Sequence, residues 1–204
     1  AQWAIVLRIT GPPAVAVVID RSASMSIADQ YDNAALASQI KACLSASGFT
    51  ESSRVNQAKS LLLRDDNRWL KELVTRYRPK WYWVASGVER AAPNLDPAEQ
   101  ARVVRELKTD GPDSGATRLG DGLQQVLADF RGPAPAAIVL LSDGAVTEGV
   151  PLADAAETAR QQGVPIYVVG LGRETLPRDI ELSDVLVDEV VFADDLVIFQ
   201  TQVK

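Results

Sequence analysis

The strongest constraint on the fold of this chain is a short apolar run that ends on an acidic residue. Six apolar residues at positions 14–19 lead to Asp20, and two hydroxyl side chains follow at Ser22 and Ser24. An apolar run rich in Val and Ile is typical of a strand buried on both faces of a parallel sheet. Because open α/β sheets bind ligands beyond the carboxyl ends of their strands, Asp20 marks the expected position of a site.

The spacing of these three polar residues indicates a metal site. Alternate residues of the loop can direct Asp20, Ser22 and Ser24 toward one point. Three hard oxygen donors suit Mg²⁺, Mn²⁺ or Ca²⁺ far better than zinc. The alternative interpretation is that the two serines only cap the next helix.

The composition excludes several classes of function. The length of 204 residues fits one domain of ordinary size, and the net charge of −6, without a basic stripe, argues against nucleic acid as a partner. No apolar run is long enough to span a bilayer and no signal peptide is present, so we expect no membrane contact by this segment itself. The absence of histidine excludes a Ser-His-Asp or Cys-His catalytic set and a His-ligated zinc site.

Hydrophobic periodicity predicts an α/β fold with a doubly wound, mostly parallel central sheet flanked by helices. Besides the first strand, it predicts buried strands at 80–85, 137–142 and 165–170. It predicts helices at 34–44, 53–78 (ended by Pro79 and interrupted near 65–67), 97–107, 119–130 and 151–162. We expect residues 1–13 to be a lead-in segment and residues 14–178 to be the main domain. Residues 179–204 would then be its last strand and the truncated start of a following β domain.

Two further segments bring oxygen donors to the same edge of the predicted sheet. Thr117 lies in a Ser-Gly-Ala-Thr loop, and Asp143 ends a second buried run in Leu-Ser-Asp-Gly. Together with Asp20, Ser22 and Ser24, this set resembles the von Willebrand factor A domain and its metal-ion-dependent adhesion site. The family's D-x-S-x-S, its loop threonine and its second aspartate are all matched, over roughly residues 14–170.

The resemblance implies a metal site and a function. Ser22, Ser24 and Thr117 would contact one Mg²⁺, Mn²⁺ or Ca²⁺ directly, and Asp20 and Asp143 would act directly or through water. The implied function is non-enzymatic: a protein partner donates a Glu or Asp carboxylate to the ion. The flanking sequence is similar to bacterial membrane-anchored members of the family. We therefore expect this segment to belong to a protein anchored in a bacterial membrane.

Three alternatives compete with this interpretation. A Mg²⁺-dependent phosphohydrolase of the haloacid dehalogenase type also uses an aspartate at the end of its first strand, but it needs a second acid where this chain has Ser22. A dinucleotide-binding domain is weaker still, because Gly170-Leu-Gly172 is a lone G-x-G. The third is a structural domain whose metal site is vestigial.

The long segment between the metal loop and the second helix departs from better-known family members. We expect residues 26–52 to shape the partner-binding face, with Tyr31 and Phe49 as apolar anchors. The alternative is that both aromatic side chains pack this segment onto the body of the domain.

Overall fold

The computed structural model describes residues 11–91, 96–109, 115–130, 132–173, 182–186, 197 and 200–203. Seven strands are described in this part of the chain: β1 (Ala14–Asp20), β2 (Arg78–Val84), β3 (Val88–Arg90), β4 (Ala137–Ser142), β5 (Ile166–Gly170), β6 (Leu182–Leu186) and β7 (Gln200–Val203). The described helices are α1 (Ala34–Ala46), α2 (Arg54–Arg76), α3 (Pro97–Glu106), α4 (Leu119–Asp129) and α5 (Leu152–Gln161).

The first five strands form one sheet in the order β3-β2-β1-β4-β5. β1 pairs in parallel with β2 and β4, and β4 pairs in parallel with β5, whereas the short β3 runs antiparallel to β2. The predicted fold class, a mostly parallel sheet flanked by helices, is therefore confirmed. The strand that ends on Asp20 lies at the centre of the sheet.

Two hydrophobic cores cover the two faces of this sheet. Val15, Val17 and Ile19 of β1 pack in a core with residues of α2 and α3, while Ala16 and Val18 pack in a core with residues of α4 and α5. This alternation follows from the two-residue period of a strand. Because β1 is buried on both faces, its carboxyl end is held in a fixed position.

Local signals place the helices close to where the sequence predicts them. α3 begins with a capping box in which Asp96 and Glu99 satisfy each other's backbone amides, with Pro97 at the first helical position. α2 is interrupted as predicted, since residues 65–67 have φ values of 53°, 54° and 60°. Gly163, predicted as the residue that ends α5, has a φ of +70°.

Two predictions about the strands are wrong. β2 begins at Arg78 and includes Pro79, which was expected to separate helix from strand; α2 ends earlier, at Arg76. Proline is tolerated there because β3 pairs only with residues 82–84, so the outer edge of β2 at Pro79 has no strand partner among the described residues. β5 was expected to be buried, yet Tyr167 and Val168 are 61% and 65% exposed because β5 is the edge strand of the described sheet.

Residues 173–204 form a separate compact unit from residues 1–172. Within this second unit, β6 and β7 pair as an antiparallel two-stranded sheet. The lead-in segment 1–10 and most of the acidic stretch after position 186 lie outside the described residues. Within the described part, no helix combines the length and apolar character needed to cross a membrane.

Candidate metal centre

Asp20 lies at the carboxyl end of the central strand and is fully buried. Its Oδ1 accepts a hydrogen bond from the backbone N–H of Ser22 at 2.9 Å, and its Oδ2 accepts one from the hydroxyl of Ser142 at 2.7 Å. Among the described residues, no Lys or Arg forms an ion pair with this carboxylate. Burial raises the pKa of Asp20 above its ordinary value, and the nearby charge of Asp143 contributes to the same shift, although the bonds from Ser22 and Ser142 oppose it.

Ser22 and Ser24 lie side by side after Asp20. Their hydroxyl oxygens are 3.0 Å apart, and Ser22 is buried. Ser22 precedes a short 3₁₀ turn, Ala23–Ser26, but its side chain makes no capping hydrogen bond to that turn. The alternative in which Ser22 serves as a helix cap therefore finds no support, and the two hydroxyls are close enough for one ligand to contact both.

Thr117 is held by its backbone and leaves its hydroxyl available. Its N–H donates to the hydroxyl of Thr147 at 2.8 Å, and its carbonyl accepts from the N–H groups of Thr147 and Glu148 at 3.1 and 3.4 Å. The residue is only 3% exposed, and its hydroxyl has no hydrogen-bond partner in the described part of the chain. A buried hydroxyl without a partner is unfavourable, which points to a ligand.

The end of β2 holds the two loops together. The N–H of Arg21, directly after Asp20, donates to the carbonyl of Val84 at 2.9 Å, and the N–H of Arg118, directly after Thr117, donates to the carbonyl of Ala85 at 2.8 Å. These two carbonyls belong to consecutive residues. The loops that carry Asp20 and Thr117 are therefore neighbours on the same edge of the sheet.

Asp143 follows β4, the other neighbour of β1, and is engaged by an arginine. Nη1 of Arg54 lies 2.7 Å from Oδ2 of Asp143, and the same guanidinium makes two bonds, of 2.6 and 2.8 Å, to the carboxylate of Asp29. The side chains of Asp29 and Asp143 are 4% and 2% exposed, and that of Arg54 is 15% exposed. The bonds to Asp29 and Asp143 raise the pKa of Arg54 above its ordinary value, which is already high. Arg54 therefore keeps its positive charge.

The buried carboxylate of Asp20 leaves room for a cation. Asp20 forms no ion pair with a described residue, and the nearby charge of Asp143 makes its ionised form less favourable still. Buried charges are costly unless they are paired or bind a metal. A divalent ion would offset the charges of both carboxylates.

The donor set at this edge of the sheet fits the chemistry of such an ion in most respects. No cluster of three or more His, Cys, Asp or Glu side chains that could hold a metal occurs in the described part, so an ion here would depend on hydroxyl oxygens as well. The buried carboxylate of Asp20, the paired hydroxyls of Ser22 and Ser24 and the unpartnered hydroxyl of Thr117 fit a hard divalent cation. Asp143 fits less simply, because its Oδ2 binds Arg54 and its Oδ1 accepts a hydrogen bond from the N–H of Ala145 at 3.0 Å.

Three residues of this site escaped the sequence analysis. Ser142, which bonds to Asp20, directly precedes Asp143 and could have been noticed in Leu-Ser-Asp-Gly. Asp29 and Arg54 belong to no motif that the sequence shows, and Arg54 is 89 positions from Asp143 along the chain. Only the fold brings them together.

The aromatic residues of segment 26–52 pack onto the body of the domain. The hydroxyl of Tyr31 donates to Oε1 of Gln57 at 2.9 Å, and Phe49 packs against the core that contains α2 and α3. This arrangement corresponds to the structural alternative for both side chains. Ile27 and Leu36, which are 47% and 43% exposed, are the large apolar residues that this segment presents to solvent in the described structure.

Comparison with known proteins finds one matching family. Residues 85–185 match the model of the von Willebrand factor type A domain. This range includes Thr117 and Asp143, whereas the loop of Asp20, Ser22 and Ser24 lies upstream of it. No curated protein sequence matches the chain.

Among solved structures, the chain is similar to an aerotolerance-related membrane protein from Bacteroides fragilis. The TM-score is 0.54 at 19% identity, over 93% of this chain and 81% of that one, and at this identity the likeness shows the fold alone. Weaker likenesses include manganese-loaded TRAP protein from Plasmodium vivax (TM-score 0.47, 16% identity, 79% and 58% covered). A further one is proximal thread matrix protein 1 from the mussel byssus with a zinc-occupied MIDAS motif (TM-score 0.48, 20% identity, 78% and 38% covered). The family match shows a likeness to the von Willebrand factor type A domain over residues 85–185, and the sheet order of the described strands agrees with that fold.

Proposed function

We propose that this domain is a metal-dependent protein-binding module without enzymatic activity. The observation that carries the proposal is the fully buried carboxylate of Asp20, which has no cationic partner among the described residues and lies beside the hydroxyls of Ser22 and Ser24. A divalent cation at this edge of the sheet would satisfy that charge. Mg²⁺, Mn²⁺ and Ca²⁺ all suit oxygen donors of this kind.

The roles of the residues follow from their chemistry. Ser22, Ser24 and Thr117 are neutral donors that would contact the ion directly, and Asp20 and Asp143 would balance its charge directly or through water. When bound, the ion supplies a strong electrostatic attraction for an anionic oxygen ligand. Because the direct donors are neutral, the site would accept a Glu or Asp carboxylate from a protein partner.

The same residues argue against hydrolysis. A phosphohydrolase of the haloacid dehalogenase type needs a second acid at the position of Ser22, and the chain has no histidine to act as a base. The presence of all five donor residues in the sequence supports a working metal site rather than a vestigial one. We further propose that the module works as part of a bacterial membrane-anchored protein, with its partner at or near that membrane.

The experiment is binding of a native partner, captured from lysate, in buffer with Mg²⁺ and in buffer with chelator, while circular dichroism monitors folding. We expect binding only with Mg²⁺, and Thr117→Ala should abolish it as chelation does. Thr158→Ala is the matched control, because the hydroxyl of Thr158 bonds to a backbone carbonyl of its own helix on an exposed surface. Equal binding of folded protein in both buffers, or turnover of a phosphate ester that is lost in Asp20→Asn, would contradict the proposal.

A further inference from the structure

A hollow of about 230 Å³ opens at the amino end of α2, next to the metal loop. Six of its lining residues carry hydroxyl, amide or ammonium groups: Ser26, Ser53, Asn56, Lys59, Lys108 and Thr109. We call it the basic hollow. The proposed metal-binding function uses none of these residues, so the polar groups of the hollow need a separate explanation.

Ser53 occupies the capping position of α2 without acting as a cap. Its backbone is extended, with φ −68° and ψ 153°, as at a normal N-cap, yet its side chain makes no capping hydrogen bond. Ser53 is 3% exposed, and in the described part of the chain its hydroxyl has no hydrogen-bond partner. A buried hydroxyl that lines the hollow and has no described hydrogen-bond partner is available to a ligand.

The first turn of α2 offers further donors beside Ser53. The first four N–H groups of a helix have no acceptor within the helix. Here the N–H of Arg54 donates to the carbonyl of Ile27 at 3.0 Å and that of Gln57 to the carbonyl of Ser53 at 2.9 Å. The N–H groups of Val55 and Asn56 have no such acceptor among the described residues. No acidic side chain lies in this turn, so the positive end of the helix dipole is not compensated locally.

Lys59 lies one turn further along α2 and is buried, with no counter-ion in the described part of the chain. It is 7% exposed, and no described carboxylate lies within ion-pair distance of its ammonium group. Its nearest described aromatic contact is the ring of Phe49, whose centroid is 5.7 Å from Nζ. Burial lowers the pKa of Lys59, and the positive charges of Arg105 and Lys108 lower it further. Lysine is rarely buried unless it is paired.

One acidic residue, Glu51, also lines the basic hollow. Glu51 is exposed and makes no described ion pair with Lys59 or Lys108, while its backbone carbonyl accepts a bond from Nδ2 of Asn56 at 3.2 Å. Among the described lining residues, two lysine charges therefore face one solvated carboxylate. Of the two lysines, Lys59 is the buried one, as is Ser53 beside it.

We propose that the basic hollow binds a phosphate-type oxyanion, with Ser53, Lys59 and Lys108 as its main ligands. A helix amino end with free N–H groups and converging cations is a recurrent anion site. A phosphate group suits it better than a carboxylate, because its additional oxygens can accept bonds from both lysines and from the hydroxyl of Ser53 at once. The site is separate from the metal donors, so it does not depend on the function proposed above.

The test is calorimetric titration of the whole chain with inorganic phosphate, with acetate in a parallel arm. Lys59→Met should weaken phosphate binding at least tenfold while leaving the fold intact, since it replaces a buried unpaired ammonium group with an apolar chain of similar length. Ser53→Ala should weaken binding several-fold. Lys71→Met is the matched control, because Lys71 lies in the same helix but is exposed and pairs with Asp66.

Each outcome of this test decides the proposal. Phosphate binding that is lost in Lys59→Met but retained in Lys71→Met, and unchanged in the metal-site variant Ser22→Ala, would support it. The absence of phosphate binding, or binding that Lys59→Met leaves unchanged, would overturn it. Equal affinity for acetate would overturn the preference for phosphate over a carboxylate.

Discussion

Arg54 holds Asp143, a residue of the proposed metal site, with an ion pair of 2.7 Å. The same guanidinium is bound by Asp29, so one side chain joins the segment after the metal loop to the carboxyl end of β4. Gly172, which follows β5, lies against the same guanidinium. A Cβ atom on Gly172 would be only 2.7 Å from Nε of Arg54. Gly172 also has a φ of +93°, so both its backbone conformation and its surroundings favour glycine.

This ion pair predicts that Arg54 weakens the binding of metal. Its fixed positive charge repels a cation, and its bond to Oδ2 competes for Asp143. We expect Arg54→Met to lower the Kd for Mg²⁺ by about tenfold, which corresponds to about 1.4 kcal/mol. Isothermal titration calorimetry measures this directly.

The same substitution should destabilise the protein in chelator. It removes the arginine that pairs with the buried carboxylate of Asp143, a loss that costs about 3 kcal/mol or more when one partner of a buried pair is removed. Thermal unfolding with and without Mg²⁺ therefore should show a larger metal-dependent rise in Tm for the variant. Arg68→Met is the control, since Arg68 forms an exposed pair with Glu72. An unchanged Kd in Arg54→Met would show that Arg54 does not compete with the ion.

A second prediction concerns the hydroxyl donors. Ser22→Ala should weaken Mg²⁺ or Mn²⁺ binding by at least tenfold, because it removes one oxygen from the site and the hydroxyl supports no capping bond whose loss would disturb the fold. Calorimetry gives the affinity, and circular dichroism checks the fold. Ser26→Ala is a matched control, since the hydroxyl of Ser26 donates to the carbonyl of Ala23 within the same turn. Equal metal affinity in Ser22→Ala and the wild type would remove Ser22 from the site.

The sequence predicts the central features of this site because they are local or follow from sheet geometry. Asp20, Ser22 and Ser24 lie within five residues, and the position of Asp143 follows from the rule that parallel strands end at one edge. Thr117 follows a helix rather than a strand, so only the resemblance to the family pointed to it. The contact of Arg54 with Asp143 follows from neither, because it depends on how the segment between β1 and α2 returns to the sheet. The exposure of β5 was missed for a related reason: an apolar run indicates a strand but does not say which strand is at the edge.

A third prediction follows from the burial of Asp20. Its raised pKa means that the folded protein retains a proton that the unfolded chain has already released, at pH values above the ordinary 3.8. Folding stability in chelator therefore falls as the pH rises through this window, and the full penalty remains above the folded-state pKa. Asp20→Asn should remove this penalty and raise the Tm of the metal-free protein at pH 7.

The Tm values of the wild type and of Asp20→Asn should also be compared in the presence of Mg²⁺. With Mg²⁺ present, the wild type should gain stability and the Asn variant should not, since the variant lacks the charge that holds the ion. The order of the two Tm values should then reverse between chelator and Mg²⁺. A variant that is less stable than the wild type in both buffers would indicate that the bonds of Asp20 to Ser22 and Ser142 outweigh the cost of its buried charge.

The last prediction concerns the close packing of α4 against the end of β2. Gly122 lies in the first turns of α4, and a Cβ atom there would be 2.5 Å from Cγ1 of Val84. In an open helix, Gly→Ala is stabilising by about 1 kcal/mol. Here the added methyl group would push α4 away from Val84, at a cost of about 1–3 kcal/mol for overpacking. We therefore expect Gly122→Ala to lower the free energy of unfolding.

Gly122→Ala should also weaken Mg²⁺ binding. The carbonyl of Val84 fixes the loop after Asp20, and the neighbouring carbonyl of Ala85 fixes the loop after Thr117. Displacement of α4 would separate the two loops, so Mg²⁺ affinity should fall together with stability. Val84→Ala removes the side chain that the new methyl group would meet, so the double variant should recover metal affinity relative to Gly122→Ala alone. If Gly122→Ala binds Mg²⁺ as the wild type does, the spacing of these loops does not depend on the contact between α4 and β2.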